Sequence, residues 1–70
     1  MTTLHLVGWQ KGLKTVSLIA AIRRSSGLSL FEAKRAVERL LDGERIELIF
    51  ATEVAAKEFQ REATGLGVLF

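Results

Sequence analysis

Within thirteen residues, Ile22-Arg23-Arg24-Ser25-Ser26-Gly27-Leu28-Ser29-Leu30-Phe31-Glu32-Ala33-Lys34, the chain writes the end of one helix, a one-glycine turn and the start of the next. Gly27 can take the left-handed conformation that stops a helix, and Leu28 follows where an apolar residue packs back on the finished turn. Ser29 then caps the second helix, with Glu32 three residues on to complete a capping box. Arg23, Arg24 and Lys34, with Arg35 just beyond, edge this junction with positive charge. Such a corner sets the architecture and is also the first candidate for a working surface.

The chain has 70 residues, enough for one domain spanning residues 1–70. A chain of this size buries only about 60% of its unfolded surface, so its core has little to spare. Without cysteine it has neither a disulfide framework nor a thiolate metal site, which fits a reducing cytoplasm. Apolar residues make up 49% of the chain, a globular value that argues against disorder. No apolar run approaches the roughly 20 residues that cross a bilayer, and no basic segment leads into a long apolar one as in a signal peptide. A cytoplasmic location is therefore expected. Ten Lys and Arg against eight Asp and Glu give a net charge of +2, a weak bias towards acidic partners.

Thr3 to Trp9 reads as a strand, since Leu4 and Leu6 alternate with Thr3, His5 and Val7; Gly8 to Lys14 reads as a loop. From Thr15 to Ser25 the apolar residues Val16, Ile19 and Ile22, with Leu18 beside them, recur at helical spacing. Leu30 to Leu41 carries the clearest pattern, with Ala33, Ala36, Val37, Leu40 and Leu41 on one face and Lys34, Arg35, Glu38 and Arg39 on the other. Lys34 and Glu38 stand four apart and are placed to pair. Asp42-Gly43 ends this helix, and Arg45 to Ala51 forms a second strand with Ile46, Leu48 and Phe50 facing one way. Thr52 caps a third helix that buries Ala55, Ala56, Phe59 and Ala63 and stops at Gly65, before a last strand from Gly67 to Phe70.

The order strand–helix–helix–strand–helix–strand predicts an α+β fold in two layers, a three-stranded, mainly antiparallel sheet covered on one face by three helices. With Leu4, Leu6, Ile46, Leu48 and Phe50 covered, the open face carries His5, Val7, Trp9, Glu47, Ile49 and Leu69. That is an apolar set for water to meet, and it predicts a homodimer through the open sheet face.

Enzyme chemistry finds no footing. His5, the one histidine, has no acidic residue or cysteine near it in sequence, and Ser25 and Ser26 lack the surroundings of a nucleophile elbow. Glu53, Glu58 and Glu62, interleaved with Lys57 and Arg61, have the spacing of a solvated helix face. Gly65-Leu66-Gly67 lacks the strand before and the helix after that a phosphate loop needs. No metal constellation and no cofactor site can be assembled. The corner has the local look of a DNA-reading helix pair, but Leu30, Phe31 and Ala33 stand where base-reading side chains would sit. Trp9 alone makes no stacking platform, so nucleic acid is not expected as a partner. Protein binding remains, with a basic face built from Lys14, Arg23, Arg24, Lys34 and Arg35.

The runs from Lys14 to Arg23 and from Ser26 to Glu38 resemble the C-terminal domain of the bacterial ribosomal stalk protein, the large-subunit L-seven/L-twelve protein. Thr52 to Phe70 is similar at the level of pattern, so the resemblance covers nearly the whole chain; its most specific part is Gly27-Leu28 with Glu32-Ala33-Lys34. It implies the same two-layer fold, and a protein partner, an elongation factor or the ribosome, recruited on the first two helices. The family's exposed arginine falls on Arg23, its lysine on Lys34, its apolar contact positions on Val16 and Ile19, and its turn on Gly27 and Leu28. Phe31, with Arg24 and Arg35, completes the expected docking set. The family's other first-helix lysine falls on Ala20, its second turn glycine on Ser29 and its next lysine on Phe31. The family protein is acidic where this chain is basic, and its dimerisation domain and hinge have no counterpart in these residues. Phe31 at a polar helix start suits the anchoring of a different partner. The ClpS-type adaptors of the same superfamily provide an alternative reading, capture of a degron peptide for a Clp protease, from the looser similarity of Glu53 to Phe59 to their third helix. The acidic residues that line the adaptor pocket have no counterpart here.

Overall fold

The structure is a computed structural model that describes residues 1–70. In chain order the elements are β1 (Thr2–Leu6), β2 (Gly8–Trp9), α1 (Thr15–Ser26), α2 (Leu30–Leu41), β3 (Ile46–Phe50), α3 (Glu53–Leu66) and β4 (Val68–Leu69). This is the predicted α+β order with the first strand divided at Val7.

The division changes the sheet. β1 pairs antiparallel with β3 from Thr2↔Phe50 to Leu6↔Ile46, and β2 pairs antiparallel with β4 through Gly8↔Leu69 and Trp9↔Val68. In place of one three-stranded sheet there are two two-stranded ladders, which engage successive stretches of the N-terminal segment. β4 has only two residues and does not reach back along β1. At the junction the Val7 N–H donates to Leu69 O at 2.9 Å, although Leu69 already faces Gly8. Two residues against one is the pattern of a bulge, which bends a strand and shifts its alternation. Trp9 consequently stands opposite Val68, which is only 2% exposed. Directly opposed residues share a face, so Trp9 sits at the rim of the helix side and not on the open face where simple alternation put it. The open face keeps Thr3, His5, Val7, Glu47, Ile49 and Leu69, all exposed.

All fourteen buried residues are apolar, so no desolvated polar group offsets the gain from their burial. Phe50 and Phe59 meet with ring centroids 5.2 Å apart, and Phe70 closes edge-on against Phe59 at 6.3 Å. Ala21, Ala33, Ala56 and Ala63 are buried, and such small side chains let the three helices and the strands approach closely. In α1 the buried set is Leu18, Ala21 and Ile22, with Ile19 partly buried; Val16, expected on the apolar line, is 80% exposed. The α2 pattern holds for Ala33, Val37 and Leu40, and Ala36 packs at its edge, but Leu41 is exposed. α3 buries Ala56, Phe59 and Ala63 as expected, yet it runs through Gly65 and stops at Gly67 (φ 112°). Gly67 is the glycine that must be one: a Cβ there would lie 3.2 Å from Leu13 Cα, where the 10–14 loop crosses the helix end. The loop is tied there by Gln10 N–H to Gly67 O (2.8 Å) and Lys14 N–H to Leu66 O (3.1 Å).

Candidate functional site

The corner forms as its residues dictate. Gly27 adopts φ 76°, ψ 10°, and its N–H donates to Arg23 O at 3.1 Å, the single bond of a left-handed helix stop. The Ser26 hydroxyl donates to Ile22 O at 2.6 Å, satisfying another carbonyl of the last turn. Ser29 Oγ accepts from Glu32 N–H at 3.1 Å, and Glu32 Oε1 accepts from Ser29 N–H at 3.3 Å and from its hydroxyl at 2.9 Å. Leu28 packs against the core beneath the turn. At the far end of α2, Gly43 N–H donates to Leu40 O (3.0 Å) and Glu44 N–H to Arg39 O (3.1 Å), the paired bonds of a Schellman stop. Both ends of α2 are therefore pinned, which fixes the backbone that carries its surface side chains. The start of α1 is different: its capping position is Lys14, with no side-chain cap and no acidic residue in the first turn.

α1 is the middle helix, in contact with both α2 and α3. Val16, Ala20 and Arg23 fall on one exposed stripe at i, i+4 and i+7, and half-buried Ile19 lies on its flank. Arg24 is turned about 100° from Arg23 around the helix, towards α3. There it donates to Glu62 Oε1, and the hydrogen bond and charge of Glu62 raise its guanidinium above the ordinary value. A raised pKa stabilises the fold wherever the unfolded guanidinium is charged, and the effect disappears only in strongly alkaline solution. Arg24 thus also takes part in an α1–α3 contact, although its side chain remains 62% exposed.

On α2, Phe31, Lys34, Arg35 and Glu38 line one hollow, with Phe31 73% exposed. Lys34 and Glu38 do not pair; the ion pairs of the surface are His5–Glu47, Arg24–Glu62, Arg39–Glu44 and Lys57–Glu53. Arg23, Lys34 and Arg35 therefore have no carboxylate within 4.0 Å. Arg35 also borders a cleft of about 360 Å³ between α2 and β3, together with Arg39 and Arg45. The structure thus brings Phe31, Lys34, Arg35 and Glu38 around one hollow on α2, leaves Arg23 exposed on the last turn of α1, and places Val16 two turns back along α1.

Sequence reasoning left Leu30, which is 54% exposed beside Phe31, out of the docking set, and did not join Arg39 and Arg45 to Arg35. Arg35 and Arg39 stand at i and i+4, and Arg39 and Arg45 bracket the Asp42-Gly43 turn, a spacing that could have shown them. His5 lies on the exposed face 4.0 Å from Glu47 and belongs to no cluster of three or more metal-ligating side chains. No family model, curated protein or solved structure matches this chain.

Proposed function

We propose that this chain is a non-catalytic protein-interaction domain of the ribosomal stalk C-terminal type, docking an acidic partner such as an elongation factor on α1 and the first turns of α2. The observation that carries the reading is the exposed Phe31 with Lys34 and Arg35 one turn on and Arg23 across Gly27, the three cations all without a carboxylate partner. An aromatic anchor with two unpaired cations beside it, and a third at the end of α1, offers apolar area and steering charge on one side of the molecule. The match of Gly27, Leu28, Glu32, Ala33 and Lys34 to the stalk domain supports the type of partner. Val16 and Ile19 extend the surface along α1. Arg24 contributes by fixing α1 to α3.

The adaptor alternative is less well supported. A free N-terminal ammonium needs an excess of carboxylates around it, whereas the α2–β3 cleft is bordered by three arginines against two glutamates. The test is a titration of purified bacterial elongation factors with the chain and with Arg23→Glu plus Lys34→Glu. The double reversal is expected to weaken binding by about tenfold or more while leaving the unfolding midpoint in place. An unchanged affinity would show that the surface is wrongly assigned, and no binding by the unaltered chain would remove the elongation factor as its partner.

A further inference from the structure

We propose that the free edge of β3 receives an extended acidic peptide as an added strand, at a site that adjoins the helical corner and shares Arg35 with it but not Arg23, Phe31 or Lys34. β3 pairs only with β1, so one whole edge of it presents unpaired backbone N–H and C=O groups. The cleft beside α2 runs along that edge and is lined by residues 45–48 in succession. Side chains of a strand alternate between faces, so lining by consecutive residues means that the backbone edge itself is presented. Leu28 and Ala36 on one side and Ile46 and Leu48 on the other supply apolar contacts for alternate side chains of an incoming strand.

The charge of the cleft chooses the occupant. Arg35 and Arg45 have no ion-pair partner, and Arg39 is shared with Glu44 at 3.2 Å. The lining also holds two carboxylates, Glu32, which accepts from Ser29 in the capping box, and Glu47, 4.0 Å from His5, so three arginines stand against two glutamates. The balance left over is positive and suits glutamate or aspartate beside the added strand. A second copy of this chain suits the edge poorly. Laid antiparallel with its helices on the same side, it would bring its own Arg35 and Arg39 against those of the first.

Binding of a fluorescent peptide that alternates glutamate with valine, followed by anisotropy, tests the proposal on the whole chain. The glutamate peptide is expected to bind, the lysine–valine counterpart to bind at least about tenfold more weakly, and Arg35→Glu plus Arg45→Glu to reverse that preference. N-methylation of alternate amides, on the edge that would face β3, is expected to abolish binding. Arg23→Glu plus Lys34→Glu should leave the peptide affinity unchanged, which separates this site from the corner. Equal binding of the lysine peptide, indifference to N-methylation, or no binding of the glutamate peptide would each overturn the proposal. So would a doubled mass of the free chain in light scattering that is lost on N-methyl-free peptide addition, since the edge would then belong to a second copy. If the arginine double variant does not fold, the N-methylated peptide against the unaltered chain still decides.

Discussion

Along α3, Lys57 approaches Glu53 to 3.2 Å, and Arg24 reaches from α1 to hold Glu62, so two of the three glutamates of this helix are matched within the molecule. On the other side of α1, Arg23, Lys34 and Arg35 have no such carboxylate, and Leu30 and Phe31 stand exposed among them. The same residue types are used in both places. On the α3 side the aromatic ring goes inward and Lys57 and Arg24 are matched, with only Arg61 open; at the corner the ring goes outward and Arg23, Lys34 and Arg35 are all left open. The difference locates the part of the surface that has interactions to offer, and paired substitutions across the two regions measure it.

The largest contrast is between two phenylalanines. Phe59 is buried between Phe50 and Phe70, and Phe59→Ala is expected to cost about 3–5 kcal/mol in urea unfolding, enough to unfold much of a domain of this size. Phe31→Ala removes a side chain that supports nothing and should stay within about 0.5 kcal/mol of the unaltered chain. A substantial loss from Phe31→Ala would make it a structural residue and weaken the docking reading.

Next come the two glycine stops. Gly27→Ala meets nothing within 4 Å and should cost about 1–2 kcal/mol, the strain of a left-handed alanine. Gly67→Ala carries the same strain and also presses on Leu13 Cα, so its unfolding midpoint should fall further. Equal losses would mean that the 10–14 loop yields without resistance. The caps differ less. Ser29→Ala breaks a reciprocal box and Thr52→Ala a single bond to Ala55 N–H, so the first should cost about 1 kcal/mol and the second somewhat less. The smallest effect separates neighbouring arginines. Arg24→Ala should lower stability slightly, and less so as salt is added, whereas Arg23→Ala should leave it unchanged.

Much of this fold was legible because its signals are local. Ser29 and Glu32 announce a capping box three residues apart, Gly27 announces a stop, and the periodicity of α2 needs no knowledge of its neighbours. The misreadings have non-local causes. Val16 has helical spacing with Ile19 and Ile22, but α1 lies between two helices, and that position turns Leu18 and Ala21 inward. Gly65 and Gly67 are equivalent stop signals on paper; the crossing of Leu13 selects the second. Alternation carried Trp9 to the open face because the bulge at Val7 and Gly8 arises from where β4 meets the N-terminal segment, a contact between the two ends of the chain. Arg23 and Arg24 look alike in sequence, and only the position of Glu62 on α3 tells the matched cation from the open one.

The central claim is that the open side of α1 and the first turns of α2 are where a partner docks. Amide chemical-shift mapping of the labelled chain, titrated with a purified elongation factor, tests it residue by residue. The account predicts that the perturbed amides cluster at Val16, Ile19, Arg23, Phe31 and Lys34 and leave residues 53–66 still. Perturbation centred on α3 with the corner silent would contradict it.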